Sequence, residues 1–244
     1  MEKLSADPRF TDIEENLKVI NENIAAAAVK SGREPGDVRL MAVTKTVEPV
    51  YINHAIKCGV NLIGENRVQE YLGKAPELNL TSVEKHLIGH LQSNKAKKIV
   101  GQVDVIQSVD TVSIAAEIGK QALKAGIRQK ILLEINVGSE ESKFGFDIAE
   151  AEERAREIAL IDGVEIKGLM CVAPICGDNA RLLKIFENMN NIFIDIRDKK
   201  LDNVNMDILS MGMSGDYETA ILGGANLVRV GSAIFGPRIY RDKH

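Results

Sequence analysis

The sequence predicts an α/β protein built as a closed (β/α)8 barrel of the TIM type, preceded by one extra helix. Three observations carry that prediction. Eight short apolar or β-branched runs alternate with helix-like stretches, most of them spaced roughly 20 to 40 residues apart; such spacing suits parallel strand–helix–strand units rather than tight antiparallel hairpins. The chain has 244 residues, close to the ~250 typical of an eight-stranded parallel barrel. No G-x-G-x-x-G turn follows the first run, which weakens the competing open doubly wound sheet. No Pro/Gly/Ser-rich linker divides the pattern, so residues 1–244 are expected to form one domain.

Residues 9–31 read as a long helix, with Ile13, Leu17, Ile20, Ile24 and Val29 at mostly helical spacing and Gly32 as a natural stop. It is expected to cover the N-terminal end of the barrel. Strand candidates follow at 38–44, 61–64, 86–89, 105–108, 130–137, 166–172, 208–211 and 227–230. Between them lie stretches such as "TVSIAAEIGKQALKAG", which sets Val112, Ala115, Ala116, Ile118, Gly119, Ala122 and Leu123 on one broad face before Gly126.

Composition excludes several classes. A net charge of -4, with basic residues scattered rather than striped, provides no nucleic-acid footprint. Trp is absent and aromatics are 4% of residues, a poor basis for base stacking. No apolar run approaches the ~18 residues that span a bilayer, and residues 1–10 lack the apolar core of a secretory signal. The three cysteines, Cys58, Cys171 and Cys176, form no C-x-x-C pair. An odd number without a signal points to a reducing, cytoplasmic setting. Cys58 and Cys171 read as packing residues.

In such a barrel, chemistry belongs at the C-terminal ends of the strands. There "RLMAVTKTVEP" runs from four apolar residues straight into Lys45. A lysine held near a core is rare unless paired or chemically engaged; a strand stopping at Thr44 with Lys45 in solvent is the plain alternative. Glu65, Asn66, His90 and Asn136 lie at similar strand ends, where turn roles compete with binding. The C-terminal third contains two glycine–hydroxyl breaks, Gly212–Gly215 around Met213 and Ser214, then Gly231–Ser232 after "LVRV". Barrels often bind phosphate after strands seven and eight through glycine backbone N–H groups. Ser214 alone could equally be a helix N-cap. Arg229 alternates with Val228 and Val230, so it shares a face with Leu227 and Gly231; pointing inward it needs an acceptor or anion, pointing outward an ordinary ion pair.

Barrel closure sets strand eight beside strand one, so the lysine and the phosphate cradle become neighbours. That pair suits an aldehyde with a phosphate handle, as in pyridoxal 5'-phosphate (PLP). The segments "AVTKT", "GENRVQE", "HLIGHLQSNK", "INVGSEESKFGF", "GLMCVAP", "LSMGMSGDYETAI" and "VRVGSAIFGPR" together resemble the pyridoxal phosphate homeostasis protein family over residues 9–238. The resemblance implies a barrel like the N-terminal domain of alanine racemase and PLP on Lys45. It also implies cofactor contacts from Asn66, Met213, Ser214, Arg229, Gly231 and Ser232, with Arg229 near either the pyridine nitrogen or the phosphate. It makes Lys143–Phe144–Gly145 a rim segment. Two departures from the family pattern occur, at Gly224–Ala225–Asn226 and at Val47–Glu48–Pro49.

The expected function is a monomeric PLP-binding protein that holds the cofactor as a lysine Schiff base. It would serve intracellular vitamin B6 and amino-acid homeostasis without robust turnover, with PLP-dependent apo-enzymes as possible partners. An amino-acid racemase is the first alternative. It would require a second acid/base group facing Lys45, and Tyr51, Tyr71, Tyr217 and Tyr240 read as packing or terminal residues. A class I aldolase is the second alternative. His86 and His90 are four apart in a strand-like run, a span of ~13 Å, so no metal pair is expected there and metal ligands are expected nowhere.

Overall fold

The computed structural model describes residues 7–138, 144–174 and 176–237. Eight parallel strands close on themselves: β1 (Arg39–Val43), β2 (Leu62–Glu65), β3 (Glu84–Leu87), β4 (Val105–Val109), β5 (Gln129–Asn136), β7 (Val164–Cys171), β8 (Val204–Ser210) and β9 (Leu227–Val230). The pairings β4–β5 and β1–β9 complete the ring. A two-residue strand, β6 (Phe146–Asp147), adds to the end of β5 through Ile135 and Asn136. The sequence pattern contained no sign of it. Helices α2 (Pro49–Lys57), α3 (Val68–Lys74), α4 (Ser93–Ile99), α5 (Val112–Lys124), α6 (Ala151–Ala159), α7 (Asn179–Asp198), α8 (Tyr217–Leu222) and α9 (Ser232–Phe235) follow strands as expected. Among the described residues, no helix is long and apolar enough to cross a membrane.

The strands bury both faces, as parallel strands between helices must. One face, including Ala42, Ile63, Leu87, Ile106, Ile131, Leu133, Leu169, Leu209 and Val228, joins the helices in the main core. The other fills the barrel with Met41, Leu62 and Leu227 on one side and Val105, Leu132 and Met170 on the other, bridged by Ile208. Two strands start earlier than their apolar runs suggest. β3 begins at Glu84, whose carboxylate is taken up by Arg39 and His86. β8 begins at Val204, where Asn205 and Asp207 interrupt the hydrophobic signal and pair with Glu165 and Lys167.

The leading helix, α1 (Pro8–Lys30), does not cap the N-terminal end. It lies on the flank of the barrel, packed against α2, α8 and α9. Along it, Asn16 donates to Ile234 O, Asn23 donates to the Tyr217 hydroxyl, and Arg33 beyond its end donates to the carbonyls of Ile221 and Ala225. The reason is geometric. The helix after the last strand is a single turn, so α1 supplies the missing outer layer there. Its buried stripe is Ile13, Leu17, Ile20, Ile24, Ala27 and Ala28. Cys58 is another correction: it is exposed at the C-cap of α2 rather than packed, while Cys171 is fully buried in β7.

If α1 is part of the barrel wall, truncating its buried stripe must cost as much as a core mutation. Leu17→Ala or Ile20→Ala is expected to lower stability in urea by about 2–4 kcal/mol, and Val19→Ala on the exposed face by less than about 0.5 kcal/mol.

Candidate functional site

A cavity of about 790 Å³ opens at the C-terminal ends of the strands. Lys45 enters it two residues after β1 and is half-buried. Asn66 follows β2 directly. Met213 and Ser214 come from the turn after β8, Arg229 from within β9, and Gly231 and Ser232 from the turn that follows. The seven residues that the family resemblance marked as cofactor contacts thus line one cavity. Two turns from neighbouring strands form one wall, and the lysine turn of β1 stands beside them because β1 pairs with β9.

The serine-bearing turns are tied together by Ser214. Its hydroxyl oxygen accepts from the backbone N–H of Gly231 at 3.2 Å and of Ala233 at 3.4 Å. The N-cap alternative for Ser214 does not hold: α8 starts at Tyr217 with Asp216 at the cap, and the Asp216 carboxylate accepts from Met213 N. Gly231 sits so close to β1 that a Cβ there would press on Val43 Cβ at 3.2 Å and Val43 O at 3.3 Å. Gly89, after β3, makes the same kind of room for Asn66, since a Cβ would lie 2.2 Å from Asn66 O. The Asn66 side-chain oxygen is buried and has no hydrogen-bond partner, a costly state for an acceptor unless a ligand donates to it.

Arg229 points inward, on the face it shares with Leu227 and opposite to Val228 and Val230, which resolves the choice between inward and outward that the sequence left open. It is 4% exposed and forms part of the cavity floor. One guanidinium nitrogen donates to Cys171 O at 2.7 Å and the other to Ser210 Oγ at 2.7 Å. Ser210 then donates to Gln107 Oε1 at 2.7 Å, and Gln107 Nε2 donates to His86 Nδ1 at 2.7 Å. His86 Nε2 faces Glu84 Oε1 at 2.6 Å. The Gln107 donor assigns the lone pair of His86 to Nδ1 and its proton to Nε2. A single file of hydrogen bonds therefore crosses the barrel from the cavity floor to its N-terminal end. Burial pushes the His86 pKa down and favours its neutral form, whereas the His86 and Arg39 contacts hold Glu84 at about 2.

Comparison with known proteins adds the lineage. The family model for the alanine racemase N-terminal domain matches residues 16–239. The pyridoxal phosphate homeostasis protein of Aquifex aeolicus is 37% identical over 226 residues, covering 93% of this chain and 98% of that protein. The chain belongs to the pyridoxal phosphate homeostasis protein family. PipY of Synechococcus elongatus, solved with PLP bound, is 32% identical with a TM-score of 0.79, covering 92% of this chain and all of PipY. Alanine racemase of Clostridium difficile shares the fold at 16% identity and a TM-score of 0.72, and the likeness covers 58% of the racemase chain.

Within this family member, the cavity also contains residues that the sequence did not single out. Arg9, at the start of α1, lines the mouth with its guanidinium 3.7 Å over the Tyr51 ring. Tyr51 packs in the core as its sequence reading expects, but it also lines the cavity, and its hydroxyl donates to Asp7 at 2.6 Å. The hydrogen bond to Asp7, then burial, pushes the Tyr51 pKa up. Local pattern offers no signal for either residue, because the contact joins positions 44 apart. Glu65, His90 and Asn136 do not line the cavity. His90 pairs with Asp110 at 2.8 Å and stacks on Phe144 at 3.9 Å on another part of the rim. Lys143 and Tyr240 lie outside the described residues. The departure at Gly224–Ala225–Asn226 sits before β9, where Asn226 ties β8 to the turn through Asp207 O and Leu209 N; that is the barrel end opposite the cradle.

Glu134 lies inside β5, within reach of Asp110 and Arg229. Burial, then Asp110, raises its pKa to about 7, partly offset by Arg229. The native carboxyl keeps its proton where the unfolded one has lost it, so its contribution to stability falls as pH rises from about 4.5 through about 7. Above that window the ionised form costs on the order of 3 kcal/mol. Glu134→Gln is expected to be more stable than the parent in urea at about pH 8, with the difference vanishing near pH 4.5.

Proposed function

We propose that this protein binds PLP in the cavity, with Lys45 as its covalent anchor, and serves vitamin B6 homeostasis rather than sustained catalysis. The observation that carries this reading is the convergence of one amine with a turn-built anion cradle in a single cavity. PLP supplies an aldehyde, a dianionic phosphate and a pyridine nitrogen. The residues present fit those three groups. The Gly231–Ser232 turn would hold the phosphate with its backbone N–H groups and the Ser214 and Ser232 hydroxyls; the Gly231 and Ala233 N–H groups, which donate to Ser214 Oγ, would be shared with the phosphate oxygens or turned to them. Arg229 lies on the floor with its guanidinium fixed by Ser210 and Cys171, and Asn66 offers its unpartnered oxygen to a ligand donor. Lys45 supplies the amine, which sheds a proton and joins the aldehyde carbon as a Schiff base with loss of one water.

The homeostatic reading, as against a racemase, is favoured by Tyr51. It is a cavity tyrosine, but it sits on α2 beside the lysine turn, is engaged with Asp7 and has a raised pKa. A tyrosine in that state holds its proton and is poorly suited to take one from a substrate carbon. The names of the relatives point the same way. Delivery of PLP to apo-enzymes, a monomeric state and a cytoplasmic location belong to the same proposal; the free cysteines accord with the last.

Three outcomes are expected. Borohydride treatment of the PLP-loaded protein fixes one cofactor mass on the Lys45 peptide, and Lys45→Ala abolishes it; Ser214→Ala weakens PLP retention by about 1 kcal/mol or more. Incubation of the loaded protein with D- or L-alanine in deuterium oxide yields no multiple-turnover exchange at Cα. Sustained exchange would replace homeostasis with racemase activity.

A further inference from the structure

Both peptide groups flanking Lys45 are held by charged side chains outside the cavity. Thr44 O, on the preceding peptide, accepts from Lys74 Nζ at 2.9 Å. Thr46 N–H, on the following peptide, donates to Glu70 Oε1. Lys74 and Glu70 pair with each other one turn apart on α3, and Lys74 also reaches Glu65 Oε2 at 3.2 Å. Glu65 is 2% exposed; it accepts from Thr44 Oγ1 at 3.2 Å and from Asn66 N at 2.8 Å. None of Glu65, Glu70 and Lys74 lines the cavity.

The same contacts impose an uncommon backbone. Thr46 has φ +63°, a left-handed conformation that a β-branched residue adopts only where its surroundings dictate it. Stability alone is a weak reason for such a cluster, because apolar residues of similar volume often replace buried ion pairs at no cost. Its specific geometric product is a rigid Thr44–Lys45–Thr46 turn.

We propose that Lys74 and Glu70, backed by Glu65, are positioning residues for Lys45: they clamp the peptides on either side of it and aim its amine before a carbonyl ligand arrives. The proposal rests on the reading of Lys45 as the PLP anchor. In the covalent step, the Lys45 ammonium first gives one proton to solvent; the neutral amine then adds to the carbonyl carbon, C=N replaces C=O, and the two remaining amine protons leave with the carbonyl oxygen as one water; the clamp contributes no atom. It removes orientational freedom that would otherwise slow the addition. Cofactor affinity through ring and phosphate contacts is independent of it.

The test separates those quantities in the full chain freed of cofactor. The rate of the absorbance change on mixing with PLP, checked by the borohydride-fixed mass on Lys45, reports the covalent step. Pyridoxine 5'-phosphate, which has an alcohol in place of the aldehyde, reports noncovalent affinity. Lys74→Met and the milder, isosteric Glu70→Gln are expected to slow the covalent step about 10- to 100-fold. Analogue affinity should stay within about threefold of the parent, and Lys74→Arg, which can still donate to Thr44 O, should recover most of the rate. An unchanged rate in folded Glu70→Gln and Lys74→Met, or equal losses of rate and analogue affinity, overturns the proposal. If Lys74→Met does not fold, Glu70→Gln decides alone. A parent protein that fixes no mass on Lys45 refutes the anchor reading itself, a result distinct from either.

Discussion

The parallel pairing of β1 with β9 is the constraint on which the rest of the structure depends. Met41 stands opposite Arg229 and Ala42 opposite Val230, so the turn carrying Lys45 and the turn carrying Gly231 and Ser232 emerge side by side. These residues are about 190 positions apart in the chain, and only closure of the ring joins them. A one-residue slip in β9 would turn Arg229 outward and bring an apolar residue to the cavity floor. The tight contact between Gly231 and Val43 shows how little space separates the two turns.

Around that seam, charge is buried in two places with different solutions. Inside the barrel, Arg229 is satisfied by a carbonyl and by the file through Ser210, Gln107 and His86 to Glu84. A broken file would leave unpaired polar groups in a low-dielectric interior, which is costly. Outside it, Lys74 is satisfied by two carboxylates and a carbonyl beneath the lysine turn. One network fixes the floor of the cavity, the other fixes the residue that projects over it. Between them, the lysine turn and the arginine gain defined positions.

The parts of this arrangement that obey local rules were legible in the sequence. Apolar runs marked eight strands, and "AVTKT", "SMGMSGD" and "VRVGS" marked three of the turns that line the cavity. Strand alternation put Arg229 on one face with Leu227 and Gly231, and the fold shows that this face is the inner one. What escaped depends on long-range contacts that no local pattern encodes. The flank position of α1 follows from the shortness of α9, and the roles of Arg9 and Tyr51 follow from that position. Nothing in "VQEYLGK" beyond the i,i+4 spacing of Glu70 and Lys74 sets it apart; only the fold shows that its charges grip the backbone around Lys45. His86 and Gln107 look like interruptions of strands until Ser210, 103 positions from Gln107, completes their chain.

Cofactor placement would be tested most directly by a crystal structure of the full chain loaded with PLP. Density continuous from Lys45 Nζ into the pyridoxal ring is expected, with the phosphate against Gly231, Ser232 and Ser214. PLP bound on another lysine, or lying in the cavity with its phosphate turned away from these turns, would contradict the assignment of the lysine and the cradle to one ligand.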